Sequence, residues 1–468
     1  MHKKGYADIL LGLQYGDEGK ARVIDYLAKD YDIIARFNGG ANAGHTIKQG
    51  DITIALHQIP SGIFYPQTTL YIGSGCVVNI EKLAAEIQLI KDVGINLHGR
   101  LKIASQASIV QPHHILLDQL LGKKIGTTKN GIGPAYANRA IRMYGKHLAN
   151  IRLADILDDP QTFFRLIEEN LTYIQKQYHS KEKKNLMLER IKQTFAQIAP
   201  FIEVDPLYME QRAAHGAKIL FEGAQSVMLD VVKGSVPYVT SSSTIASAAY
   251  TGGDLPLKYH RKIIGVAKAL MSRVGYGPFP SEFGGSKSEH YTLEEDHGKP
   301  KHTKTTEAKE EVTKLIASPD AFDMGMALRI LSGEYGATTS RPRRIGAFDL
   351  VQLVYAVKMN GVDELVITKC DTLREYAKTH SKKIPVVTGY DLDGKKIAYV
   401  PGATAAFYRV KPVIKYYQSF SKDLSTVRQV AAIPHSLKTL LKDVEKACGC
   451  RVIGLGVGPE REQYINLV

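Results

Sequence analysis

Gln14-Tyr15-Gly16-Asp17-Glu18-Gly19-Lys20 stands between the apolar run Asp8-Ile9-Leu10-Leu11-Gly12-Leu13 and a helix-like stretch, Ala21 to Ala28. A glycine-bounded loop that leaves a strand and opens a helix gathers free amide N–H groups at the positive end of the helix dipole, which suits a phosphate. Lys20 adds a cation. The string is not a Walker A loop, because the Gly-x4-Gly-Lys-Ser/Thr spacing is absent and Ala21 follows the lysine. Tyr31 to Phe37 repeats the pattern of a strand feeding a loop. Later apolar runs, Lys218 to Phe221, Ile263 to Ala267, Glu364 to Thr368 and Val452 to Leu455, each lead into Gly, Ser, Thr or charged residues. This alternation predicts an α/β fold with a ligand crevice at the carboxyl ends of its strands.

Three more motifs fall at such ends. Asn38-Gly-Gly-Ala-Asn-Ala-Gly-His-Thr46 brings three glycines, two side-chain amides and His45 to a place where backbone can approach a ligand closely. A histidine there and Asp17 in the loop after the neighbouring strand make a candidate acid/base pair. Thr368-Lys-Cys-Asp371 is similar to the guanine-reading element of GTP-binding proteins, in which a carboxylate accepts both the ring N–H and the exocyclic amine while a lysine stem covers the ring. Gly336-Ala-Thr-Thr-Ser-Arg-Pro-Arg-Arg344 concentrates hydroxyls and guanidinium forks that match carboxylates and phosphates.

Composition bounds the rest. A chain of 468 residues with 23% charged positions is neither disordered nor fibrous. The apolar segment near the N-terminus is too short for a signal core, and no run reaches the roughly 18 apolar residues of a membrane span, so the expectation is a soluble cytoplasmic protein. Cys76, Cys370, Cys448 and Cys450 form no spaced framework; Cys448 and Cys450 read as structural thiols rather than half a metal site. A formal charge of +14 points to anionic partners. Nucleic acid is the weaker choice, since no aromatic interleaving accompanies the arginines. Ala154 to Ile198 reads as mostly helical; Ser286 to Glu310, opening after Gly284-Gly285 and rich in His, Lys and Glu, reads as an inserted, mobile surface segment, the insertion as a whole taking in residues 283–317.

The strings together resemble adenylosuccinate synthetase over nearly the whole chain. They include Gly16-Asp-Glu-Gly-Lys20, Asn42-Ala-Gly-His-Thr46, Pro60-Ser-Gly62, Ile125-Gly-Thr-Thr128 with Gly131-Ile-Gly-Pro-Ala-Tyr136, and Phe221-Glu-Gly-Ala-Gln225. They continue through Val239-Thr-Ser-Ser242, Arg273-Val-Gly275 with Gly277-Pro-Phe-Pro280, Ala337-Thr-Thr339 with Arg341-Pro-Arg-Arg344, and Thr368-Lys369 with Asp371. The resemblance implies one catalytic domain over residues 1–468, a large, mostly parallel central sheet flanked by helices, and a GTP-dependent ligase architecture with smaller subdomains. It implies that GTP phosphorylates O6 of inosine monophosphate (IMP) and that aspartate then displaces the phosphate at C6.

By that resemblance Asp17, His45, Lys20 and Gln225 are catalytic. Asp17 takes the N1 proton and shares Mg2+ with the Gly44 carbonyl, and His45 steadies the oxygen or phosphate as charge builds. Asn42, Thr128, Gln225, Thr240 and Arg341 would hold IMP, joined by Arg142 from the other subunit of a homodimer. Thr338, Thr339 and Arg341 would receive aspartate. Gly16, Glu18, Gly19, Lys20, Gly44, Thr46, Arg343, Lys369, Asp371, Gly456 and Gly458 would hold GTP.

Tyr15, Ala21, Arg22, Ser243 and Ser340 depart from the family pattern, where Trp, Gly, Lys, Asn and Gly are usual, and Ala104 to His114 lacks the usual Arg-Ala-His. Ser340 bears on the aspartate loop, because a Cβ excludes conformations open to glycine. Two other readings stand beside the ligase: a phage-type enzyme acting on deoxyguanosine monophosphate, in which the base aspartate is usually replaced, and a GTP-binding protein without turnover. Asp17 favours IMP over the phage-type substrate, and Asp17, Lys20, Asn42 and His45 favour an enzyme over a binding protein.

Overall fold

The computed structural model describes residues 4–122, 127–178, 184–296, 299–336 and 340–467. In chain order the strands of its large sheet are β1 (Tyr6–Gly12), β2 (Ile33–Arg36), β3 (Thr69–Ile72), β4 (Leu101–Ala104), β5 (Ile202–Glu203), β6 (Lys218–Ser226), β7 (His260–Lys268), β8 (Glu364–Thr368), β9 (Arg451–Gly456) and β10 (Tyr464–Asn466). Across the sheet they run β5-β4-β3-β2-β6-β1-β7-β8-β9-β10. The pairs β2–β3, β2–β6, β3–β4, β4–β5, β7–β8 and β8–β9 are parallel, and β10 lies antiparallel to β9. The expected mostly parallel α/β sheet is present.

The chain divides into two compact units, residues 1–11, 20–225 and 240–262, and residues 12–19, 226–239 and 263–468. In the first, β2 and β3 are buried at every position, as parallel strands covered on both faces must be. Leu70, Ile72 and Ile103 from the sheet pack in one core with Leu83 and Ile87 of helix Ile80–Asp92 and with Ile191 and Phe195 of helix Lys184–Ile198. The helical reading of residues 154–198 is met by helices Leu153–Asp158, Pro160–Gln177 and Lys184–Ile198. Asp159 caps the second of these by accepting from the Thr162 N–H, and Pro160 takes the first helical position, where no N–H is needed.

In the second unit, helices Ala321–Ser332, Leu350–Asn360 and His435–Cys448 end on Gly333, Gly361 and Gly449, each in the left-handed conformation. Beyond the large sheet, strand Lys383–Leu392 pairs antiparallel with Lys411–Gln418. All four cysteines are free thiols. Among the described residues no helix is long and apolar enough to cross a membrane.

Residues 283–317 are built from short elements. They form helix Gly285–Leu293, the antiparallel pair Glu295–Asp296 with Lys299–Pro300, and helices Lys304–Glu307 and Val312–Ala317. Tyr291 stacks on His302 with ring centroids 3.7 Å apart. Glu307 turns inward: Arg329 donates from Nε and Nη2 to its two oxygens at 2.9 and 2.6 Å, and Tyr335 donates at 2.6 Å. Both charged groups are 1% exposed, so removing one strands the other away from water. Glu307→Ala is therefore expected to lower the unfolding free energy by about 3–5 kcal/mol in denaturant titration. A change within about 0.5 kcal/mol, the range usual for surface positions, would return the segment to the surface reading.

Candidate active site

In the first unit, the loop after β2 is fixed by Asn38. Its amide donates to the Ala224 carbonyl at 3.2 Å and the Ser242 hydroxyl at 3.3 Å, while its oxygen accepts from the Ala224 N–H at 2.9 Å. Gly39 follows at φ +75, and a Cβ there would stand 3.1 Å from Gln225 Oε1 and 3.4 Å from Asn42 Oδ1. Only glycine lets those two side chains close on the turn. Asn42 accepts from the Gly40 N–H at 3.1 Å and reaches Thr240 Oγ1 at 3.5 Å. Asn130 bridges the Thr128 hydroxyl, at 3.2 Å, to the Ala41 carbonyl, at 3.1 Å. Asn42, Gln225, Thr240 and Thr128 are thus gathered around one loop. Gly44 is exposed, with open space on its Cβ side, and Thr46 is exposed too.

His45 is 6% exposed, and its Nδ1 is bonded to the fully buried Glu222. Glu222 also accepts from the Ser61 N–H at 2.8 Å and the Ser61 hydroxyl at 2.7 Å. Burial pushes the Glu222 carboxyl up, but His45, Arg36 and the Ser61 N–H together outweigh it and hold it down at about 2. His45 is shifted below the ordinary histidine value, chiefly by burial and further by Arg36 and Lys20, against the pull of Glu222. A neutral ring with Nδ1–H facing a carboxylate keeps Nε2 as the free face. Lys20, which opens helix Lys20–Leu27, is 4% exposed. Arg142 is exposed at φ +65 after helix Ile132–Ile141, flanked by the exposed apolar side chains Ile141, Met143 and Leu148.

In the second unit, Gly16, Asp17 and Gly19 take φ of +91, +58 and +83, so the phosphate-type loop is built from left-handed residues. Glu18 is completely buried and accepts from the Gln14 N–H (3.1 Å), the Gly16 N–H (2.9 Å) and the Ser226 hydroxyl (2.5 Å). Its carboxylate braces the loop from within, so its side chain faces away from solvent. Thr368 donates to the Glu18 carbonyl at 2.6 Å, tying the loop to the end of β8. Asp17 is 38% exposed at its side chain and pairs with Arg343 at 2.8 Å. Lys369 follows β8 at φ +56, and Asp371 lies in the 3-10 turn Cys370–Lys378. Gly456 closes β9 where a Cβ would stand 3.2 Å from Thr368 Cγ2, and Gly458 lies two residues on.

Thr338 and Thr339 lie outside the described residues. Beside them, Ser340 takes φ +53, the conformation that a glycine would adopt freely. Its carbonyl accepts from the Lys304 N–H at 3.1 Å, and the Arg341 guanidinium is paired with Glu295. Both contacts come from the 283–317 segment. A side chain held left-handed carries a strain of about 1 kcal/mol, so Ser340→Gly is expected to raise the unfolding free energy by up to that amount. A clear loss in denaturant titration would overturn this reading.

Glu222, Ser61, Arg36, Lys268 and Glu334 were not singled out from the sequence. Glu222 stands inside the quoted string Phe221-Glu-Gly-Ala-Gln225, and Lys268 ends the run Ile263 to Ala267; those positions were the available signal.

Sheet and loops define an α/β protein whose glycine-rich loops follow the strands of a mostly parallel sheet. The family model for adenylosuccinate synthetase matches residues 9–465. An adenylosuccinate synthetase 2 from Cupriavidus pinatubonensis is 44% identical over 462 residues, 98% of this chain and 97% of that one. The adenylosuccinate synthetase of Aquifex aeolicus is 36% identical over 98% of this chain and 96% of its own. The fully ligated enzyme from Plasmodium falciparum aligns over 99% of this chain and 100% of its own, with a TM-score of 0.83 and 29% identity. A cyanophage S-2L succinoaminodeoxyadenylate synthetase shares the fold, at a TM-score of 0.58 and 17% identity over 99% of this chain and 96% of its own. The chain belongs to the adenylosuccinate synthetase family.

Proposed function

We propose that this chain joins L-aspartate to IMP at the expense of GTP, giving adenylosuccinate, GDP and phosphate. The observation that carries this is family membership over residues 9–465, with identities of 44% and 36% to two adenylosuccinate synthetases across almost the whole chain. In this reading Asp17 removes the N1 proton of IMP, O6 attacks the γ-phosphorus, and GDP departs. The aspartate amine then attacks C6 and expels the phosphate, losing a proton as it does so. His45, with Glu222 behind it, meets the phosphoryl oxygens as negative charge gathers there, and an anion at its free face favours protonation of the ring. Lys20 supplies a fixed cation for the same charge. Gln225, Asn42, Thr128 and Thr240 hold IMP, Arg341 and the threonines Thr338 and Thr339 take aspartate, and Lys369 with Asp371 reads guanine. Gly16, Gly19, Gly44, Thr46, Arg343, Gly456 and Gly458 complete the GTP set, with Glu18 contributing through the loop that it braces.

Hard oxygen donors suit Mg2+, and Asp17 with the exposed Gly44 carbonyl is the protein's proposed share. Among the described residues no group of three or more His, Cys, Asp or Glu is arranged for a metal. The ion's other ligands would be phosphate oxygens and water. When bound, Mg2+ would neutralise charge on the transferring phosphoryl group.

The exposed Ile141, Met143 and Leu148 around Arg142 support a homodimer in which Arg142 reaches the partner's IMP. Free thiols and purine nucleotide substrates support a cytoplasmic setting. The test is ultraviolet detection of adenylosuccinate from IMP, aspartate, GTP and Mg2+, run beside deoxyguanosine monophosphate and with ATP replacing GTP. Turnover confined to IMP with GTP bears the proposal out. Preference for deoxyguanosine monophosphate assigns the phage-type activity, and guanine nucleotide binding without turnover assigns a binding protein.

A further inference from the structure

Glu334 comes after Gly333, whose left-handed turn at the end of helix Ala321–Ser332 directs the chain inward, and it is 1% exposed. Three cations converge on its carboxylate. Arg343 donates from Nη1 at 2.8 Å, Lys369 Nζ stands 3.0 Å away, and the fully buried Lys268 Nζ stands 3.9 Å away. Ser272 donates its hydroxyl to the same carboxylate at 2.7 Å and is itself bonded to Lys268. Lys268 also donates to the Gly16 carbonyl at 3.0 Å, and Arg343 uses its other nitrogen, Nη2, on Asp17. Glu334 is therefore the common counter-ion of groups that reach the phosphate-type loop, the Asp17 side chain and the Thr-Lys-Cys-Asp element.

We infer that Glu334 is a positioning residue for nucleotide use: its carboxylate sets Lys369, proposed to lie on guanine, and Arg343, paired with Asp17, in one array. The inference rests on the guanine and Asp17 roles proposed above. It explains an otherwise awkward feature of the resting site. Arg343 is held by two carboxylates, and Asp17 must give up that contact to work on IMP. Glu334 keeps the guanidinium in place when it does, leaving Nη2 to turn to phosphate oxygens. Removing only the charge would leave three cations facing each other with a neutral amide. Lys369 and Arg343 would separate, and recognition of the base and of the phosphates would weaken together.

The test compares Glu334→Gln and Glu334→Asp with the unaltered chain by calorimetric titration of GTP and of ATP, without IMP or aspartate, followed by steady-state kinetics. Glu334→Gln is expected to weaken GTP binding by at least about 10-fold and to lower kcat, with the KM for IMP unchanged. Glu334→Asp, which restores the charge, should recover part of both. A purely structural residue would instead reduce the active fraction and leave the GTP dissociation constant as it was. If the unaltered chain fails to prefer GTP over ATP, the guanine reading fails whatever the variants do. If it does prefer GTP and the folded variants bind GTP as tightly as the unaltered chain, this inference is overturned. Should the glutamine variant not fold, Ser272→Ala removes a donor to the same carboxylate, and unchanged GTP affinity in it and in Glu334→Asp overturns the inference equally.

Discussion

Asp17→Asn will lose turnover by about 10²- to 10⁴-fold, the range that a positioned general base contributes, while GTP binding is retained. Asparagine is the informative replacement because Asp17 sits at φ +58, a conformation that asparagine tolerates nearly as well as aspartate and alanine does not. The loop is thereby kept: Glu18 still holds the Gln14 and Gly16 N–H groups, and Thr368 still holds the Glu18 carbonyl. The amide oxygen can still accept from Arg343, now paired with Asp17 at 2.8 Å, but it cannot take up a proton from N1. With the opposing charge gone, Arg343 is freer to meet a phosphate, so the affinity for GTP titrated without Mg2+ should hold or tighten. The measurements are adenylosuccinate formation in the ultraviolet and calorimetric titration of GTP. Near-normal turnover would remove Asp17 from the chemistry, and a parallel collapse of GTP binding would make it a structural loop residue instead.

Six of the ten strands were legible, because buried strands appear as apolar runs stopped by glycine or polar residues where the chain must turn; β3, β4, β5 and β10 were not read. β2 falls within the run Tyr31 to Phe37 and β8 on the run Glu364 to Thr368 for that reason. Side-chain pairing was not legible, because it depends on strand order. Ser61 and Glu222 are 161 positions apart, and nothing local marks them as partners. Lys268 reads as the polar end of a strand, yet it is fully buried because Glu334, Glu18 and Asp17 surround it with compensating charge. Glu307 was hidden in the same way. A segment rich in Lys and Glu reads as solvated, and only the return of Arg329 and Tyr335 from beyond it makes one carboxylate internal. Glu18 shows how local donors decide where a side chain goes. Its place in a phosphate-type loop suggests a ligand contact, whereas two amide donors within four residues turn its carboxylate into a brace. Ser340 was marked from sequence by its Cβ, and its φ of +53 shows why that position favours glycine.

Glu222→Gln should weaken both activity and stability, and the two losses have separate causes. The carboxylate offers only acceptors, and it faces three donors: the Ser61 N–H, the Ser61 hydroxyl and the His45 Nδ1–H. An amide has one acceptor oxygen and one donor nitrogen, so whichever way it turns, one of those donors meets another donor. If His45 yields, the ring changes tautomer and its free face becomes Nε2–H. When a carboxylate behind a catalytic histidine is replaced by an amide in serine proteases, the wrong tautomer lowers kcat by about 10⁴. A loss of about 10²-fold or more is expected here. Stability falls because Arg36, fully buried and with Nε and Nη2 without a hydrogen-bond partner among the described residues, would lose an anion whose charge offsets its own. A buried donor left facing another donor costs about 1–3 kcal/mol. Acid titration checks the assignment. Both His45 and Glu222 bind protons less readily in the folded chain than in the unfolded one, so stability must decline as pH falls: first below the ordinary histidine value of 6.5, then below the ordinary carboxyl value of 4.5 towards about 2. Glu222→Gln should make the second decline shallower, the remainder coming from carboxylates such as Glu334 that their cations also hold down, and keep the first, since Arg36 and burial still oppose a proton on His45. A variant that retains the full acid profile would place the sensitive carboxylate elsewhere, and one that keeps normal kcat would show that His45 does not need its tautomer fixed.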